Sequence, residues 1–240
     1  DIPTFPTRRS SDLGKELWTG WNYAVKPGQI LTMKTPVRGM RSYLAISGGI
    51  DVPEIMGSRS TDLKAKFGGF HGRPLQDGDS LPTGDACRQP KKSTGIKQLL
   101  FGNRVRALPG PEYQEFSESS REMFWRGAWQ LSPQSNRMGY RLHGHTLHRE
   151  TDREMLSHGL LPGVVQVPHG GQPIVLMADA QTTGGYPRIA CVIEADLYNL
   201  AQIRLGEPVH FVKCTPEDAQ KALREQLLFI EQIKRGLHER

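Results

Sequence analysis

The chain has 240 residues, 37% of them apolar, with 26 Gly, 17 Pro and a formal net charge of +6. That length suits one large or two modest domains, and the many Gly and Pro imply short segments and turns, which leans toward a β-rich architecture. No run of 18 apolar residues is present, against a membrane-spanning helix, and the basic residues are scattered without interleaved aromatics, against a nucleic-acid surface.

In chain order, "FPTRRSSDL" (5–13) is polar, basic and without period. It back-translates into the end of a common sequencing adapter, so residues 1–13 are expected to be non-native read-through; the alternative is an ordinary disordered terminus. Residues 29–36 and 42–50 alternate or run apolar like strands. Residues 51–81 are irregular and dense in Gly. Residues 87–95, with the basic cluster "RQPKK" (88–92), read as a linker. An apolar strand followed by Pro-Gly-Pro is expected within 95–113, a helix opened by Ser and Glu within 117–132, and three or four short strands within 155–212. Residues 196–203 suit a short helix. The clearest helix is the last: Thr215 as N-cap, Pro216 in the first turn, Glu217 and Asp218 on the dipole, and an apolar stripe through Ala219, Leu223, Leu227 and Ile230.

The three cysteines, Cys87, Cys191 and Cys214, are widely spaced and form no CxxC. A disulfide framework or zinc site is not expected, and a reducing cytoplasm fits better. Cys191 reads as a small core residue. His143, His145 and His148 lie close in sequence, but no acidic or Cys partner is positioned by motif, so no metal is expected.

Three polar segments carry candidate chemistry. In 48–69, Ser58, Arg59 and Thr61 place a guanidinium beside hydroxyls, a set that holds carboxylate or phosphate, or that simply caps a long loop. In 132–141, Ser135, Asn136 and Arg137 offer donors to an anion or amide, or else satisfy their own turn. In "ADAQTTGGYPRIA" (178–190), Gly184 and Gly185 permit close approach, Asp179 suits a base or orienting group, and Gln181, Thr182 and Tyr186 offer hydrogen bonds to an amide-like ligand. The alternative there is a structural hairpin. No GxxxxGK[ST], GxGxxG, GxSxG or HExxH occurs, so a P-loop and a standard serine nucleophile are not expected.

The stretches "YLAISGGIDVPEIMGSRST", "LPGPEY", "SPQSNRMGYRL", "LLPGVVQVPHGGQPIVLMADAQTTGGYPRIA" and "DLYNLAQIRLGEPVHF" occur in this order. Together they resemble the biotin-dependent carboxyltransferase/allophanate hydrolase subunit 2 (KipA-like) family, in the branch that holds the 5-oxoprolinase C subunits, over about residues 14–240. The resemblance implies a mainly β, cyclophilin-like barrel with a few short helices and a C-terminal amphipathic helix. It divides the chain into a truncated N-terminal barrel portion (14–92), a C-terminal cyclophilin-like portion (95–214) and the helix 215–240. Members begin with a further TVQDxGR-like segment, not found here, and often carry Glu-Gly-Pro where this chain has His143-Gly144-His145. The implied activity is ATP-dependent opening of 5-oxoproline to L-glutamate, with ATP (and Mg2+) shared with partner subunits. The implied partners are the A and B subunits of 5-oxoprolinase, the latter in a tight complex. Arg59, Arg137 and Asp179 are the implied catalytic residues, since a lactam carbonyl gains negative charge as it is activated. Ser58, Thr61, Ser135, Asn136, Gln181, Thr182, Gly184, Gly185 and Tyr186 are the implied substrate contacts. The alternatives are a KipA-like regulator that binds an inhibitor of a histidine kinase, and the carboxyltransferase part of a urea carboxylase.

Overall fold

A computed structural model describes residues 10–12, 15–85, 93–96 and 98–238. Cys87, the basic cluster 88–92 and the proposed read-through segment, apart from Ser10–Asp12, lie outside the described residues. The chain divides into two compact units, one of Arg9–Met33 with Ser42–Gly95, the other holding Lys34–Arg41 and Ile96–Arg240.

The first unit is built from turns. Its strands are short: β1 (Ser10–Asp12) pairs with β2 (Lys15–Leu17), and β3 (Thr61–Asp62) with β4 (Phe67–Gly68), both antiparallel. Residues 29–36 and 42–50, apolar enough for strands, form none; Ile50 makes one isolated bridge to Thr83. Alternation creates a strand only where a neighbour completes the ladder. Ile55 and Ser58 close a tight turn by reciprocal backbone bonds of 2.9 and 3.1 Å. Its central residues, Met56 and Gly57, have φ of 52° and 74°, as a type I′ turn requires. Arg73 grips Asp79 through two bonds of 2.8 Å. That bidentate contact, helped by the Gln76 amide, holds the Asp79 carboxyl at about 2.

The second unit is a closed barrel with short helices. In chain order its strands are β5 (Arg104–Pro109), β6 (Trp129–Leu131), β7 (Gly139–His143), β8 (His158–Gly159), β9 (Val164–Gln166), β10 (Ile174–Leu176), β11 (Thr183–Gly184), β12 (Arg188–Val192) and β13 (Pro208–Lys213). Around the barrel they run β10-β7-β6-β13-β5-β12-β9, and β9 closes on β10; β8 and β11 form a separate two-stranded ladder. The β13–β5 pair is parallel, with Phe211 opposite Val105. Strands β5, β7 and β13 alternate between buried and open positions, the period-2 pattern of a sheet facing a core on one side.

Val105, Leu131, Tyr140, Leu142, Val165, Val175, Ile189 and Val209 fill the interior with essentially no exposure. Each such side chain contributes roughly 1.5–3 kcal/mol by leaving water. Helix α1 (Glu118–Arg126) covers one side, with Phe124 stacked on Phe211 at 4.6 Å. Ser117 caps it by accepting from the Ser120 amide, as its Ser-rich start predicts. Helix α2 (Leu197–Ala201) follows β12.

Helix α3 (Pro216–His238) starts at a reciprocal cap. Thr215 Oγ1 accepts from the Asp218 amide at 3.2 Å, and the Asp218 carboxylate accepts from the Thr215 amide at 3.1 Å. Its first turns pack on Ile193 and Ala195 through Ala219 and Ala222, small residues that allow close approach. Farther along, Leu227, Leu228 and Leu237 are more than half exposed. The sequence expectation of a mainly β barrel with short helices and a C-terminal amphipathic helix describes this architecture. No described helix is long and apolar enough to cross a membrane.

Candidate active site

Two loops of the barrel are laced together. One joins β6 to β7; the other leaves β10 toward β11. Ile174, Val175 and Leu176 pair with Arg141, Tyr140 and Gly139. The ladder continues past the strand ends: the Met177 amide donates to the Met138 carbonyl at 3.1 Å, and the Asp179 amide to the Arg137 carbonyl at 3.0 Å. That register sets Arg137 beside Asp179 despite their distance in sequence. Their side chains meet at 2.7 Å, with 59% and 42% exposure. A pair so open to water adds only about 0.2–1 kcal/mol to stability, so stability does not explain it.

Ser135 and Asn136 shape the loop that presents Arg137. Ser135 Oγ accepts from the Arg141 amide at 2.9 Å. Asn136 Oδ1 accepts from the Met138 amide at 2.9 Å and the Gly139 amide at 3.4 Å. These bonds close an Asx-type turn, the self-satisfying arrangement that stood open beside the ligand reading.

The second loop turns at Ala180, whose amide donates to the Met177 carbonyl at 3.0 Å. Gln181 and Thr182 then face solvent. The Leu160 amide donates to the Thr182 carbonyl at 2.8 Å, and Thr183 and Gly184 pair with Gly159 and His158. Glycine is needed here for close approach: a Cβ on Gly184 would lie 2.8 Å from Leu160 Cδ1, and one on Gly185 2.9 Å from the Met155 carbonyl oxygen. Tyr186 is 43% exposed, edge-on to His169 at 6.3 Å between ring centres.

Sequence reasoning missed two features beneath this loop. Arg188, at the start of β12, donates to Glu112 from its amide (3.0 Å), Nε (2.8 Å) and Nη2 (2.7 Å). Burial works to raise the Glu112 carboxyl, but the Arg188 hydrogen bonds and charge, with a smaller contribution from His158, hold it below the ordinary range. The second feature is His158: its Nε2 is buried and finds no hydrogen-bond partner among the described residues. An unsatisfied buried polar atom costs about 1–3 kcal/mol, and such atoms call for an explanation. Glu112 and Arg188 stand in the quoted stretches "LPGPEY" and "TTGGYPRIA", but nothing in the sequence marks them as partners, and His158 matches no motif.

Ser58, Arg59 and Thr61 belong to the first unit. Arg59 Nε donates to the Val52 carbonyl at 3.0 Å, and its Nη2 lies 3.6 Å from Asp51. Ser58 Oγ accepts from the Ser60 amide at 3.1 Å, and Thr61 pairs with Gly68 in β3–β4.

His143, His145 and His148 are all exposed. Among the described residues no group of three His, Cys, Asp or Glu side chains stands close enough to hold a metal ion. The Arg137–Asp179 loops, with one carboxylate already paired to a guanidinium, do not by themselves fit Mg2+. A cavity of about 340 Å3, lined by Arg106, Lys213, Cys214 and Lys221 among others, lies between β13 and α3 and shares no residue with the paired loops. Burial raises the Cys214 thiol there, which disfavours a reactive thiolate.

Residues 7–213 match the family described as carboxyltransferase domain, subdomain A and B. The chain belongs to this family. It is 65% identical to the C subunit of the Escherichia coli K12 5-oxoprolinase, over 92% of this chain and 72% of that protein. To the C subunit of the Haemophilus influenzae 5-oxoprolinase it is 46% identical, over 94% of this chain and 73% of that protein. Among solved structures, the K. lactis urea amidolyase superposes with a TM-score of 0.76 at 28% identity, covering 88% of this chain and 14% of the amidolyase. The barrel is thus the architecture of a carboxyltransferase domain that occurs both in 5-oxoprolinase subunits and inside far longer urea-processing enzymes.

Proposed function

We propose that this chain is the C subunit of a 5-oxoprolinase, a cytoplasmic enzyme that opens 5-oxoproline to L-glutamate with ATP, working with the A and B subunits. The observation that carries this reading is the 65% identity to the E. coli protein over nearly the whole chain. The chemistry of the paired loops supports it. A lactam is a poor electrophile, and activating it places negative charge on the carbonyl oxygen. The Arg137 guanidinium suits that charge, and preorganised cationic donors are usually the largest catalytic contribution. Asp179, 2.7 Å from Arg137, orients the guanidinium and handles a proton. Gln181, Thr182 and Tyr186 provide exposed hydrogen-bonding groups for the ring amide and the carboxylate. Ser135, Asn136, Gly184 and Gly185 contribute by fixing the two loops. Because the loops do not fit Mg2+ by themselves, the nucleotide is assigned to a site shared with another polypeptide of the complex.

The test is reconstitution. Purified chain is mixed with the E. coli A and B subunits, 5-oxoproline and ATP, and glutamate release is measured against a mixture lacking the chain. Release that depends on the chain is the expected result; equal release without it would defeat the reading. The second reading, a carboxyltransferase of urea carboxylase type, is favoured by the likeness to the amidolyase. It predicts carboxyl transfer to urea from a carboxylated biotin carrier, measurable in the same preparation.

A further inference from the structure

His158 lies opposite Gly184 in the β8–β11 ladder, on the loop that carries Gln181, Thr182 and Tyr186. Its Nδ1 stands 3.2 Å from the Leu156 carbonyl oxygen. A carbonyl only accepts, so this contact assigns a proton to Nδ1, and in the neutral ring Nε2 then carries the lone pair. That lone pair is buried and meets no donor among the described residues. Arg188 directs its amide, Nε and Nη2 at Glu112. The position therefore lacks one specific thing, a hydrogen-bond donor.

We propose that His158 Nε2 accepts the ring N–H of a cyclic secondary amide held against the Thr183–Gly184 strand. The inference rests on the reading of the chain as part of a lactam-handling enzyme and adds the residue that selects the lactam N–H. A neutral ring nitrogen with a free lone pair selects N–H or O–H donors, and the neutral groups of Gln181 and Thr182 alongside suit an amide more than an ion. A ligand that buries this acceptor without supplying a donor leaves it unpaired, which is how sites reject close analogues most strongly. The ladder beside His158 is two residue pairs long. Such short elements open locally at small cost, which gives a ligand a route to a buried nitrogen.

The experiment uses the full chain with 15N-labelled histidine and two probes, 2-pyrrolidinone and N-methyl-2-pyrrolidinone. They differ in the ring N–H. The His158 signals are assigned by their loss in His158→Phe. The expected result is that 2-pyrrolidinone shifts the Nε2 resonance and binds at least about 10-fold more tightly than its N-methyl analogue. In His158→Gln, which keeps an acceptor in a similar place, the preference should stay within about 3-fold of the parent. In His158→Phe it should vanish. Equal affinity for the two lactams in the parent chain, or a preference that survives in His158→Phe, overturns the assignment while leaving the lactam site standing. Binding of neither lactam defeats the site reading and the assignment together. If His158→Phe does not fold, the parent contrast and the Gln variant still decide the matter.

Discussion

The barrel and the turn-built unit are stabilised in different ways. In the barrel, β-branched, leucine and aromatic residues converge on one interior. In the first unit, Val52 is the buried hydrophobic among the described residues, while Val25, Ile30 and Tyr43 stand 75%, 70% and 86% exposed. Its order comes from left-handed turns such as Met56-Gly57 and from polar grips such as Arg73–Asp79. Apolar burial is collective, so the barrel should unfold as a block. Hydrogen-bonded turns are local, so the first unit should open piecemeal. The barrel is thus a rigid mount for the two laced loops, whose own exposed groups add little to its stability.

The sharpest break of this contrast is at the buried ion pair. Arg188→Ala leaves the Glu112 carboxylate, 7% exposed, without its guanidinium while the main-chain amide bond stays, and should destabilise the barrel by about 3–5 kcal/mol at neutral pH. The pH dependence has a definite sign. Glu112 is held below its ordinary value in the folded chain, so its contribution is complete above the unfolded carboxylate pKa of about 4.3 and is lost as pH falls through the folded value. Urea melts should show the gap between parent and variant closing in acid. A gap that is constant with pH would mean the charge is not what matters.

Next in size, Leu142→Ala should cost about 2–5 kcal/mol by urea melts, because it opens a void in a core with no exposure. Val52→Ala in the first unit should cost about 1 kcal/mol or less, since few apolar neighbours are lost. Similar losses at the two positions would erase the distinction between the units. A finer comparison comes from amide exchange. Val105, Leu142 and Val175 should exchange at the global unfolding limit, and Thr61 to Gly68 orders of magnitude faster. Smallest of all, Arg59→Ala should shift stability by less than about 1 kcal/mol, because its pairing with Asp51 is long and exposed. Any fall in turnover from this variant would then report on function and not on folding.

The barrel was legible through the family resemblance of the quoted stretches and not through a period read in its strands. The helix starts at Ser117 and Thr215 follow from local chemistry, and the structure contains both caps. Residues 29–36 and 42–50 show the limit: their patterns fit strands, but pairing is decided by the neighbour and not by the segment. The candidate site was legible as residue types and not as roles. "SPQSNR" announces donors, yet Ser135 and Asn136 spend their side chains on the Arg141, Met138 and Gly139 amides. "TTGG" suggests positive φ or close approach, and Gly184 and Gly185 serve the second, against Leu160 and Met155. The Arg137–Asp179 pair was named residue by residue but not as a contact, since only the β7–β10 register brings the two together. Glu112–Arg188 and the orphaned His158 depend on burial, which a single sequence does not display.

The most direct test of the division between mount and chemistry is the turnover of Arg137→Ala, reconstituted with the A and B subunits, with its melting temperature measured in parallel. The expected result is a fall in glutamate release of about 100-fold or more and a melting temperature within about 4 °C of the parent, as befits the loss of an exposed ion pair. Undiminished release from the variant would contradict that division.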